Sequence, residues 1–172
     1  MSVTLVLGGA RSGKSALAER LTRQAGPSPV YLATAEAWDD EMRARIAQHR
    51  ETRAGQGWHT IEAPLALART LAAAPPGAPV LVDCLTLWLT NLMLGEHDIE
   101  THARDLIAAL DRPGDTVLVA NELGLGIVPE NALARRFRDA AGRLNQQVAA
   151  RADHVVLVAA GLPLVLKGAP PL

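Results

Sequence analysis

Eight residues near the start of the chain, Gly8-Gly9-Ala10-Arg11-Ser12-Gly13-Lys14-Ser15, have the types and spacing to hold a polyphosphate. The spacing is Gly-x4-Gly-Lys-Ser, the P-loop pattern. Gly8 and Gly13 allow backbone conformations closed to other residues. Successive N–H groups can then line a concavity around phosphate oxygens. A helix starting near Gly13 adds the positive end of its dipole. Lys14 would set a point charge between the β- and γ-phosphates, and Ser15 Oγ would ligate Mg²⁺. The pattern alone also matches ordinary tight turns. Here the apolar run Val3–Leu7 precedes it and the helical pattern from Ser15 to Ala25 follows. Strand, glycine-rich turn and helix together predict nucleotide phosphate binding.

Four further groups carry candidate chemistry. Asp83 ends the apolar run from Val80, where a P-loop protein holds an acidic residue near Mg²⁺. An N-cap or plain loop carboxylate is the alternative, and the metal already implied by the loop favours the first reading. Ala33-Thr34-Ala35 ends another apolar run, and small residues there would let a nucleotide pass close to the backbone. Asn121 and Glu122 end a third run and open a glycine-punctuated loop that suits the substrate side. Glu122 is a candidate second metal-shell carboxylate or base. Arg45, His49 and Arg53 are spaced i, i+4, i+8, so on a helix they share one stripe, bordered by Met42 and Ile46. Two guanidiniums around an imidazole suit a polyphosphate, and the imidazole can attack phosphorus directly. Spacing alone favours a solvated basic face with a histidine in it.

The elements that must position these groups alternate along the chain. Apolar runs at Val3–Leu7, Pro29–Ala33, Val80–Cys84, Thr116–Ala120 and His154–Ala159 read as strands buried on both faces of a parallel sheet. Helical patterns lie at Ser15–Ala25, Asp39–Arg53, Pro64–Ala74, a long one within Leu85–Leu110, and Ala132–Ala152. The class is α/β. In such sheets ligands bind beyond the carboxyl ends of the strands, which is where the candidates fall.

Composition narrows the classes. A chain of 172 residues suits one domain, 1–172, with 49% hydrophobic residues but only 3% aromatics. Net charge of −1 argues against a general nucleic-acid or membrane-surface binder. The single cysteine, Cys84, excludes an internal disulfide and reads as a buried small residue. No apolar segment approaches the ~20 residues of a membrane span, and no leader pattern opens the chain. The expectation is a soluble cytoplasmic protein.

Taken in order, the motifs resemble one family, the bifunctional adenosylcobinamide kinase / adenosylcobinamide-phosphate guanylyltransferases. The matching stretches are the phosphate loop, Tyr31-Leu32-Ala33-Thr34-Ala35, Asp40 through His49-Arg50 to Arg53, Asp83-Cys84-Leu85-Thr86 with Asn91-Leu92, Asn121 through Asn131, Ala141 through Gln146, and Ala160-Gly161-Leu162-Pro163 through Gly168. The resemblance spans nearly the whole chain. It implies a RecA-like P-loop domain with a mostly parallel sheet flanked by helices, and a homotrimer. It also implies two reactions: phosphorylation of adenosylcobinamide by ATP or GTP, then transfer of GMP from GTP through a guanylylated histidine to give adenosylcobinamide-GDP and pyrophosphate. That histidine is His49 by its place in the motif. GTP contacts fall at Ala33, Thr34, Ala35, Arg50, Glu51, Thr52, Arg53, Glu62 and Asp83. Glu62 would accept from the guanine N1–H and amino group, and Asp83, one methylene shorter than a glutamate, would reach metal through water.

Two other functions are weighed against this one. A P-loop kinase for another small molecule explains the loop but leaves the Arg45–His49–Arg53 stripe without a task. A non-catalytic nucleotide-switched module fits poorly with the short, near-neutral chain.

Overall fold

The computed structural model describes residues 1–36, 55 and 57–169. Among the described residues there are seven strands, β1 (Val3–Gly8), β2 (Val30–Ala33), β3 (His59–Glu62), β4 (Val80–Asp83), β5 (Thr116–Asn121), β6 (His154–Ala159) and β7 (Leu162–Lys167). The described helices are α1 (Lys14–Gln24), α2 (Leu67–Ala72), α3 (Leu85–Leu94), α4 (Ile99–Ala109) and α5 (Ala132–Arg151). One sheet holds all the strands in the order β3-β2-β4-β5-β1-β6-β7. The first six pair in parallel, and β7 runs antiparallel against β6.

Alternation along the strands sorts the core into two layers. Val6, Leu81, Val117, Val119 and Val156 face α1, where Leu17, Ala18 and Leu21 cover them. Leu5, Leu32, Val82 and Leu118 face the opposite layer, made by α2, α3, α4 and α5 around the buried Trp88. The apolar-throughout strands of the sequence are therefore covered on both sides, as parallel sheets require.

Three elements differ from the sequence reading. The long helix within Leu85–Leu110 is two helices. Gly95 closes α3, Glu96 takes a positive φ of 55°, and Asp98 caps α4 by accepting from Glu100 N and Thr101 N at 3.1 and 3.3 Å. β3 is a short, half-exposed strand that is not among the five apolar runs. β7 was concealed by Pro163, which an outer strand tolerates. Ala160 and Gly161, at φ 53° and 78°, make the two-residue turn that joins it to β6. The expected helix Asp39–Arg53 lies outside the described residues. No described helix is long and apolar enough to cross a membrane.

Candidate functional site

The described members of the predicted site lie along the carboxyl rim of the sheet. Ala33 pairs with Glu62 on one side and with Asp83 on the other, so the three share one row across β3, β2 and β4. Gly8 pairs with Asn121, which puts β5 between the phosphate-loop strand and the Asp83 strand. Four strand spacings separate β3 from β1, roughly 19 Å at ~4.8 Å each. That span suits an extended nucleotide with its phosphates at the loop and its base toward Glu62.

The loop is shaped by two close approaches. A Cβ at Gly8 would lie 2.4 Å from Ser12 Oγ and 2.7 Å from the Val158 carbonyl. Gly8 is thus needed for space. Gly13 is the residue that needs glycine for its conformation, at φ 96°. It is the N-cap of α1, without a side-chain cap, and no acidic residue lies in the first turn. The first N–H groups of α1 are left to an anion. Lys14 Nζ donates to the Gly9 carbonyl at 3.1 Å, a bond that phosphate oxygens can replace. Gly9, Ala10 and Arg11 are exposed, and Ser15 is half-buried on the first turn of α1. Ser12 Oγ is buried with no partner. From behind, the β6–β7 turn braces the loop: Gly161 N donates to the Ser12 carbonyl at 2.8 Å.

Beside the loop, Asp83 is half-buried on the α1 side of the sheet, and Tyr31 Oη donates to its Oδ2 at 2.8 Å. Thr34 is fully buried. Its hydroxyl donates to the Cys84 carbonyl and accepts from Cys84 N, both at 2.7 Å, while Asn91 Nδ2 donates to the Thr34 carbonyl at 2.8 Å. Thr34 therefore serves the site by tying the ends of β2 and β4 together, with Ala35 half-buried just beyond. Asn121 N donates to Thr86 Oγ1 at 2.8 Å, and Asn145 Nδ2 donates to the Asn121 carbonyl at 3.2 Å. Asn121 Oδ1 is buried without a partner. Glu122 Oε1 accepts from Gly124 N at 2.6 Å, and Glu122 N donates to the Gly8 carbonyl at 3.2 Å, which ties the substrate-side loop to the phosphate loop.

Burial, then the neighbouring Asp83 charge, pushes the Cys84 thiol up to about 11, so it stays protonated and is no nucleophile at neutral pH. Arg45, His49, Arg50, Glu51, Thr52 and Arg53 lie outside the described residues. Tyr31, Thr86, Asn145 and Gly161 lie in the matching stretches, but the sequence assigned them no task in the site. Each acts through strand pairing or buried hydrogen bonds to residues far away in the chain.

The fold sets a glycine-shaped phosphate loop and an acidic strand end on either side of one intervening strand. The chain shares that fold with the RadB recombinase, at TM-score 0.54 and 14% identity over 91% of this chain and 73% of that one. An ATPase from a type III secretion system also matches at TM-score 0.54, with 12% identity over 95% of this chain and 56% of that one. The fold is a RecA-like P-loop domain.

The model of the family described as cobinamide kinase / cobinamide phosphate guanyltransferase matches residues 4–166. The chain belongs to this family. It is 51% identical to the bifunctional adenosylcobalamin biosynthesis protein CobP of Pseudomonas aeruginosa, over 96% of this chain and 98% of the relative. It is 45% identical to the bifunctional adenosylcobalamin biosynthesis protein CobU of Salmonella typhimurium, over 95% of this chain and 98% of the relative. The match is long enough to include the phosphate loop, the Asp83 strand and the β6–β7 turn in one alignment.

Proposed function

We propose that this protein phosphorylates adenosylcobinamide with a nucleoside triphosphate and then transfers GMP from GTP to adenosylcobinamide phosphate. His49 is the nucleophile of the second reaction and carries GMP between the two substrates. The observation that carries the reading is the near full-length family match, laid over a rim where phosphate loop, Asp83 and Glu62 line up in order.

In guanylyl transfer the imidazole attacks the α-phosphorus and pyrophosphate leaves. The loop N–H groups and Lys14 stabilise charge building on the departing phosphates. A neutral imidazole is needed for attack, so Arg45 and Arg53 bind phosphate oxygens without donating a proton to the ring. The P-loop implies Mg²⁺. Among the described residues no group of three or more His, Cys, Asp or Glu side chains is arranged to hold a metal. The ion would be held chiefly by nucleotide phosphates, with Ser15 Oγ and Asp83 as hard oxygen donors that fit it. When bound it neutralises phosphate charge. Glu62 selects guanine, and Asn121 and Glu122 face the acceptor.

A corrinoid needs an apolar surface. Thr90, Met93, Leu94, Asn131, Leu133, Ala134 and Phe137 line a cavity of about 420 Å³ between α3 and α5. The exposed Leu125, Ile127 and Val128 lie on the loop leading to it, and this is where the macrocycle docks. The apolar outer strand β7, with Leu162, Leu164, Val165 and Leu166 exposed, serves the subunit contacts of a homotrimer. The protein works in the cytoplasm.

Incubation with α-labelled GTP, Mg²⁺ and then adenosylcobinamide phosphate tests the proposal. Label should pass first to protein and then to the corrinoid, with pyrophosphate released. Adenosylcobinamide alone with ATP should yield its phosphate. Nucleotide consumed only with unrelated alcohols, with no label on protein or corrinoid, would overturn it.

A further inference from the structure

Asp83 does not stand alone at the end of β4. Its Oδ2 accepts from Tyr31 Oη at 2.8 Å, across the β2–β4 pairing and 52 residues away in the chain. Tyr31 is only 4% exposed, yet its hydroxyl reaches the half-buried rim. The ring is fixed in turn. Trp58 packs against it edge-on, with ring centroids 5.7 Å apart and planes at 90°. The Arg23 guanidinium of α1 lies over Trp58, 5.6 Å from the ring centroid. Guanidinium, indole and phenol thus form an unbroken line of contacts from α1 to the carboxylate.

We propose that Tyr31 is a positioning residue for Asp83, holding the carboxylate in one orientation with Oδ2 occupied and Oδ1 presented to the metal–nucleotide complex. The inference rests on the reading above in which Asp83 acts on the metal. A carboxylate free to rotate would divide its time among orientations, and groups that orient metal ligands commonly contribute a factor of about 10–100 in metal affinity. A single neutral hydroxyl donor falls at the low end of that range.

The test is the coupling between metal and nucleotide, read as the ratio of the GTP dissociation constants in EDTA and in saturating Mg²⁺. Tyr31→Phe keeps the ring packing and removes the hydroxyl. It should lower the coupling about tenfold and leave GTP binding in EDTA unchanged, while the melting temperature falls by several degrees with the lost hydrogen bond to the carboxylate. In an Asp83→Asn background the same substitution should lower the coupling no further. Asp83→Asn that leaves the coupling at its wild-type value would remove the role given to Asp83 itself. Asp83→Asn that lowers the coupling while Tyr31→Phe does not, or Tyr31→Phe that weakens GTP equally with and without Mg²⁺, would overturn the role given to Tyr31 alone.

Discussion

Replacing Gly8 with alanine probes the phosphate loop where it is tightest. The added Cβ meets two neighbours of different kinds. Ser12 Oγ, at 2.4 Å, is the tip of a small side chain and can rotate away. The Val158 carbonyl, at 2.7 Å, is backbone of β6 and can yield only if the strand or the loop moves. Overpacking of this kind costs about 1–3 kcal/mol, a drop of roughly 2–12 °C in melting temperature for a domain this size. Function should suffer more. A loop lifted off β6 misdirects N–H groups aimed at phosphate, and each hydrogen bond lost to a charged group is worth about 1.5–3 kcal/mol, so GTP affinity should fall at least about tenfold. Calorimetric titration with GTP and thermal unfolding read the two effects separately. Adding Ser12→Ala should recover part of the loss, because only the hydroxyl clash is relieved. Wild-type affinity and melting temperature in Gly8→Ala, or complete recovery in the pair, would refute the argument from the Val158 carbonyl.

Other outcomes follow from single residues. Lys14→Ala should lower both phosphoryl and guanylyl transfer by about 10²–10³-fold, the usual effect of losing one preorganised charge donor, with little change in melting temperature since its described bond is to the exposed Gly9 carbonyl. With the thiol raised from 9.0 to about 11, Cys84 should react with iodoacetamide at pH 8 about 100-fold more slowly than an unfolded control. The sign also sets a pH dependence: the folded state holds this proton more tightly, so its stabilising contribution is complete below pH 9 and declines as pH rises toward 11, a decline that Cys84→Ala should lack in urea titrations. Asn131 Oδ1 caps α5 by accepting from Leu133 N and Ala134 N at 2.8 and 3.2 Å, so Asn131→Ala should cost about 1 kcal/mol in the same titrations.

What could be read from the chain depended on how locally each feature is encoded. The buried parallel strands announce themselves as valine- and leucine-rich runs because both faces are covered. The phosphate loop is legible because glycine, lysine and serine act through nearby backbone. β7 was not legible: its residues are exposed and Pro163 argues against a strand, so only the pairing with β6 reveals it. The break between α3 and α4 had a signal in Gly95 and in Asp98 three residues before Thr101, outweighed by the long helical periodicity around it. Glu62 and Asp83 fall into one row only through the register of β2 with its two neighbours. The Tyr31–Asp83 bond has the same origin, since no spacing along the chain encodes a contact across 52 residues.

The covalent step proposed for His49 is open to direct observation by intact-protein mass spectrometry after incubation with GTP and Mg²⁺. Wild-type protein should gain the mass of one GMP, in a linkage cleaved by acid and stable to base, and His49→Ala should gain nothing. An unmodified wild-type chain, or an adduct that persists in His49→Ala, would contradict the assignment.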